Sequence, residues 1–205
     1  MTTQPETGGR RTVIKTLIPL VILFALVVGA LTLVKSQLPD KAQNTEAPNA
    51  GDNGEFKVGA VAPDFVLHKF GAKPDEKPVK LSELKGKIYL VNFWATWCTA
   101  CMVEMPSIVQ LQKSFAPKGL EVVAVNVDEK PEAVLPKTLK EMKIEFPVFV
   151  DRDARLSELF DVHAIPLTVI LDSQRKVLMI QNGELDWNST EFRGKMEQWL
   201  SNSKT

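Results

Sequence analysis

Seven residues, Ile88 to Trp94 (IYLVNFW), constrain this chain more than any other stretch of it. Every side chain except Asn92 is apolar or aromatic, and no polar alternation marks a face turned to water. A short strand of this kind belongs at the centre of a sheet covered on two sides. Directly behind it comes Ala95-Thr96-Trp97-Cys98-Thr99-Ala100-Cys101. From Thr99 to Phe115, the residues Met102, Met105, Ile108, Val109, Leu111 and Phe115 form a broad apolar stripe at helical spacing. The chain therefore passes from a buried strand into an amphipathic helix, and both of its cysteines lie at that junction.

The pattern around this junction repeats the alternation of strand and helix. Phe65–Leu67 reads as a short strand after the stiff Ala62-Pro63-Asp64, and Leu81–Lys87 as a turn. Leu120–Val127 reads as a second buried strand. Pro131–Met142 reads as a helix that Pro136 bends. Phe146–Val150 is a strand, Ala154–Phe160 a short helix and Leu167–Asp172 a strand. A turn at Ser173–Lys176 leads to the hairpin partner Val177–Gln181, and Thr190–Ser201 closes the chain as a helix. Strands alternating with helices, then a terminal hairpin and helix, describe an α/β domain with a mixed sheet.

That domain occupies residues 57–205, and what precedes it is of another kind. Thr16 to Val34 is a run of 19 residues without a charge. About 20 apolar residues cross a bilayer as a helix, whereas the apolar core of a secretory signal is about 7–15. A cleaved signal peptide is the competing reading, but the length of the run favours retention. Arg10, Arg11 and Lys15 precede the run and only Lys35 follows closely, which places the N-terminus in the cytoplasm. The expected organisation is a cytoplasmic segment 1–15, a single transmembrane anchor 16–34, a linker 35–56 and an extracytoplasmic domain 57–205. The linker, rich in Asn, Asp, Gly, Pro and Ala, has too few large apolar residues to bury a core and reads as a flexible tether.

Charge narrows the functional classes. Lys plus Arg and Asp plus Glu are 25 each, and 20 of each fall in residues 57–205. A domain without basic excess lacks the footprint that grips a nucleic-acid backbone. Two cysteines and two histidines do not suggest a closed four-ligand zinc site by the usual spacing.

The chemistry is expected at Cys98 and Cys101. A sulfur at a helix N-terminus faces unpaired backbone N–H groups and the positive end of the helix dipole, which favour thiolate over thiol. The thiolate is the attacking form. Cys101, one helical turn along, is placed to attack a mixed disulfide formed at Cys98, which makes a reversible dithiol/disulfide switch. Three plainer readings stand beside this one: a metal half-site, a structural disulfide and packing of two reduced cysteines. The first lacks nearby ligands, and the second closes too short a loop to constrain much of the unfolded chain.

Four segments together resemble one family: Ala62-Pro63-Asp64-Phe65, Leu81-Ser82-Glu83-Leu84-Lys85-Gly86-Lys87, Val91–Cys98 (VNFWATWC) and Glu104-Met105-Pro106. They are similar to the membrane-tethered thioredoxin-like proteins of the TlpA, ResA and CcmG group, over about residues 57–185. The resemblance implies a thioredoxin fold and an extracytoplasmic thiol–disulfide oxidoreductase with no cofactor beyond the redox-active Cys98–Cys101 disulfide. It also implies clients that are exported proteins with cysteine disulfides, such as apocytochromes c or copper-site proteins, and a membrane electron donor.

Several residues acquire roles from the same resemblance. Ile165-Pro166 matches the family's cis-proline, whose loop faces the cysteines and holds the substrate segment. Pro106 matches a kink in the active-site helix. Glu104 matches a buried acid that exchanges protons with Cys101 in some members, although a solvated helix-face charge is the plain alternative. Asn92 stands where classical thioredoxins carry a buried Asp, and it cannot titrate. Trp97 is expected beside the substrate, and Trp94 and Trp97 are read as packing and shielding groups rather than chemical participants. His163 and Leu167 are candidates to line the groove. The chain departs from the pattern at Ala100, where a proline is common, and at Ala164, where a glycine is common. A Cu(I) metallochaperone, using soft thiolates with Met102 and Met105, is the rival function. A peroxidase lacks support because no proline stands in Ala95-Thr96-Trp97.

Overall fold

The computed structural model describes residues 56–203, so the expectations for 1–15, 16–34 and nearly all of 35–56 lie outside the described residues. Among the described residues no helix is long and apolar enough to cross a membrane.

The chain folds as β1 (Val66–Leu67), β2 (Val79–Lys80), a 3₁₀ turn (Leu81–Glu83), β3 (Ile88–Trp94), α1 (Thr99–Phe115) and β4 (Leu120–Asn126). There follow α2 (Pro131–Glu141), β5 (Val148–Val150), α3 (Arg155–Leu159), β6 (Leu167–Asp172), β7 (Val177–Asn182) and α4 (Thr190–Asn202). Five strands form one sheet in the order β5-β4-β3-β6-β7, while β1 and β2 pair separately. β3 runs parallel to β4 and antiparallel to β6, so the sheet is mixed. This is a thioredoxin-like α/β fold, as the sequence pattern and the resemblance together implied.

β3 is the middle strand, and all of its residues are buried. Ile88, Leu90 and Trp94 face the core built with Met105, Ile108, Leu111 and Phe115 of α1 and Phe192, Met196 and Leu200 of α4. Tyr89, Val91 and Phe93 face the second core with Phe65, Leu67, Leu156 and Phe160. The period of two along a strand divides the side chains in this way, and cover on both faces is why the run shows no polar alternation.

The structure departs from the sequence reading in several places. The strand expected at Phe146–Val150 begins at Val148, because Pro147 has no N–H to give to a ladder. The helix expected from Ala154 starts at Arg155, and Ala154 itself is left-handed at φ 57°. The segment before Leu81 forms a strand, β2, that closes on β1 (Val66 opposite Lys80, Leu67 opposite Val79). Leu167 is buried in the second core at 4% exposure and does not line a groove.

Register places the site. Trp94 at the end of β3 lies opposite Asn126 at the end of β4. Phe93 lies opposite Leu167 at the start of β6. The loops after β3 and β4 and the loop before β6 therefore meet at one end of the sheet.

Candidate active site

Cys98 and Cys101 are joined in a disulfide at this end, with Cα atoms 5.3 Å apart. Cys98 is the N-cap of α1, and its sulfur accepts the Cys101 N–H at 3.1 Å. Sulfur does here what a Ser or Asp oxygen does at other helix starts, satisfying one of the orphan donors of the first turn. The same N–H would stabilise a thiolate at Cys98 after reduction. Cys98 is 6% exposed and Cys101 is fully buried, so of the two residues only Cys98 meets the surface.

The loop before β6 supplies the second wall. The Ile165–Pro166 peptide is cis, and the Ile165 carbonyl oxygen lies 3.7 Å from Cys98 Sγ. Pro166 is buried and Ile165 half-buried, packed against both cores. His163 is exposed and lies 3.1 Å from Asp161. On the other side, Trp97 is 68% exposed, and a groove of about 480 Å³ beside it is lined with Val127, Asp128, Glu129, Lys130 and Val134. Trp94 packs as expected, fully buried, but Trp97 does not pack into the core. The chain turns sharply after β3, with Cys98 N–H donating to Ala95 O at 3.2 Å, and the turn carries the second indole outward.

Glu104 is buried, at 2% exposure, which removes the reading of a solvated helix-face charge. Its Oε1 accepts from Asn92 Nδ2 at 2.8 Å. Its Oε2 accepts from Trp187 Nε1 at 2.9 Å and from Leu185 N at 3.3 Å. Burial holds this carboxyl above the usual carboxylate range, and the three hydrogen bonds work against that rise. Asn92 Nδ2 also donates to Thr168 Oγ1 at 2.8 Å, so the amide ties β3 to both α1 and β6. Glu104 stands one helical turn beyond Cys101 on the same face, and its hydrogen-bond partners are Asn92, Trp187 and Leu185.

Sequence reasoning passed over Trp187, Thr168, Asp128 and Lys130. Trp187 is the nearest to having been visible: an isolated Trp between Asp186 and Asn188, in a segment without strand or helix periodicity, signals an anchored loop. No cation stands next to the cysteines in sequence, yet the fold brings Lys130 into the groove beside Trp97. Met105 is fully buried in the core, while Met102 is half-buried and packs against it.

Comparison with known proteins agrees with this geometry. The AhpC/TSA family model matches residues 58–180. The thiol-disulfide oxidoreductase ResA of Oceanobacillus iheyensis is 32% identical over 170 residues, covering 83% of this chain and 82% of that one. ResA of Bacillus subtilis is 37% identical over 127 residues, 62% of this chain and 68% of its own. A Chlorobium tepidum crystal structure assigned as thiol:disulfide interchange protein DsbE superposes with a TM-score of 0.62 at 30% identity, covering 71% of this chain and 99% of the other.

Proposed function

The chain belongs to the AhpC/TSA family of thioredoxin-like domains and is a thiol–disulfide oxidoreductase, and from that premise we propose that it works as a reductant of exported proteins. One observation carries the reading: the Cys98–Cys101 disulfide sits at the start of α1, with the outer sulfur on a backbone N–H and the inner one buried.

The exchange follows from that placement. In the dithiol form, the Cys98 thiolate attacks one sulfur of a client disulfide. A Cys98–client bond forms, and the other client sulfur leaves as a thiolate that takes up a proton. Cys101 then loses its proton and attacks Cys98 Sγ, which releases the second client thiol and closes the Cys98–Cys101 disulfide. Two electrons pass from the dithiol to the client, and two protons follow. Glu104, held above the ordinary carboxylate range, is suited to take the proton from Cys101. Trp97, Ile165 and Pro166 would contact the client segment around the attacked sulfur.

The direction rests on charge. A strong oxidant needs a highly stabilised thiolate, so that its reduced form is favoured. Here the first-turn N–H stabilises Cys98, whereas the Ile165 carbonyl oxygen faces the same sulfur and two acids accompany the single lysine in the groove. Equilibration of the 205-residue chain with glutathione buffers tests this. The expected potential lies near that of thioredoxin, about −270 mV; a value near that of DsbA, about −120 mV, would sink the reductant reading.

We further propose that residues 16–34 anchor the chain and that residues 35–56 hold the domain outside the cytoplasm. A membrane electron carrier would regenerate the dithiol, and apocytochromes c or copper-site proteins would be the clients. The charge asymmetry around the apolar run and the family resemblance support this reading. A reporter active only in the cytoplasm, fused after Thr205, should be silent, and one that requires export should be active. The opposite pair of results would overturn topology and compartment together.

A further inference from the structure

Asp128 stands two residues beyond the end of β4, at 8% exposure, and no step of the exchange described above passes through it. Its carboxylate is fully engaged. Oδ2 accepts from Thr96 N at 2.9 Å and from Asn126 Nδ2 at 2.7 Å, while Oδ1 accepts from Thr96 Oγ1 at 2.9 Å. Asp128 N in turn donates to Asn126 Oδ1 at 3.1 Å, a short side-chain turn that fixes the carboxylate's own direction. Val127 N donates to Trp94 O at 3.0 Å, which docks the same loop on the end of β3.

What this carboxylate grips is the second residue of the turn that presents the attacking sulfur. Cys98 N–H bonds back to Ala95 O, so Ala95 to Cys98 is one tight turn with Thr96 and Trp97 as its middle residues. Holding both the N–H and the hydroxyl of Thr96 fixes its backbone and its side-chain rotamer at once. The positions of Trp97 and Cys98 follow. A thiolate at an N-cap gains from the first-turn N–H only while sulfur and donor stay aligned, and hydrogen bonds weaken steeply with misalignment.

We propose that Asp128 is a positioning residue for thiol–disulfide exchange: through Thr96 it holds Cys98 Sγ on the Cys101 N–H and so sets the reactivity of the attacking sulfur. The inference rests on Cys98 being the attacking thiol, as read above. It differs from a purely structural role because the effect must pass through one hydroxyl and must appear at a sulfur two residues away.

Thr96→Val is nearly isosteric, leaves every charge in place and removes only the hydroxyl donor. Measured in the Cys101→Ser background, where Cys98 is the single thiol, it should slow alkylation at pH 7 about three- to tenfold, the factor carried by roughly one hydrogen bond. The midpoint of the pH profile should rise with it. Thr96→Ser keeps the donor and should behave as the unsubstituted chain does. In an Asp128→Ala background, Thr96→Val should have no further effect, since the two residues act as one unit. Unchanged alkylation in Thr96→Val, or effects of the two substitutions that simply multiply, would overturn the proposal. If Asp128→Ala fails to fold, the Thr96→Val and Thr96→Ser pair decides alone. Insulin reduction by the unsubstituted chain is followed in parallel. Its failure would remove the functional reading and leave the alkylation result standing.

Discussion

Cys101→Ser is expected to convert the chain into a trap, with client turnover falling to background while a Cys98–client mixed disulfide accumulates. The reason lies in the unequal exposure of the two sulfurs. Cys98, at 6% exposure, meets the surface beside the Ile165 carbonyl, whereas Cys101 is fully buried. A client sulfur in line with Cys98 cannot reach Cys101 without opening the first turn of α1. Once Cys98 is joined to the client, release requires the neighbouring thiol, and serine oxygen is far too weakly acidic to replace it at neutral pH. Cys98→Ser should also abolish turnover, but without any trapped adduct, because the buried thiol has no access to the client. Non-reducing gels of each variant with a disulfide-bonded client, followed by mass mapping, separate the cases. An adduct on Cys101, or turnover retained in Cys98→Ser, would reverse the assignment of the two thiols.

The second large effect is expected at Trp187. The indole is fully buried, meets Phe192 edge-on at 4.8 Å between ring centres, and donates its only N–H to Glu104. Trp187→Ala should cost about 3–5 kcal/mol in cavity and lost transfer energy. Glu104 Oε2 would lose the shorter of its two hydrogen bonds and keep only the 3.3 Å one from Leu185 N, which adds to that cost. Trp187→Phe keeps most of the ring and isolates the hydrogen bond, and its signature is pH dependence. Burial raises the Glu104 pKa above its ordinary value of 4.5, so the folded protein binds the proton more tightly than the unfolded chain does. Stability therefore falls as pH rises from that ordinary value through the folded one, and the loss is complete above it. Losing the Trp187 donor removes a contact that opposes the rise, so Trp187→Phe should steepen the decline and carry it to higher pH. Glu104→Gln should flatten it. In that variant Asn92 can turn its amide so that Oδ1, which has no partner among the described residues, accepts from the new side chain. Urea unfolding at pH 4, 6 and 8 tests all three, and parallel curves for the unsubstituted chain and Glu104→Gln would show that Glu104 carries no linked proton.

These two results concern different kinds of information in the chain. β3 and α1 match the sequence reading residue for residue, because each is defined by a local property. Ile88–Trp94 is apolar throughout, and Thr99–Phe115 combines a periodic stripe with a sulfur cap. The reactive pair was legible for the same reason, since strand, turn, Cys98, Cys101 and helix are consecutive. β1 and β2, two residues each, were not legible as a pair, because so short a strand has no period of its own and exists only through its partner.

Burial of Glu104 lay beyond local reading too, since Val103 beside it is exposed and Met105 is buried. Its environment is decided by Asn92, 12 residues away, and Trp187, 83 residues away. The grip of Asp128 on Thr96 spans 32 residues and the approach of the Ile165 carbonyl to Cys98 spans 67. Composition and periodicity by themselves determined the long strands and helices, the place of the apolar run and the position of the cysteine pair at a strand-to-helix junction. Tertiary structure alone decided what surrounds those atoms. Strand register brings the ends of β3, β4 and β6 to one end of the sheet, and a shift of one residue would turn Asn92 and Thr168 to other faces and dissolve the site.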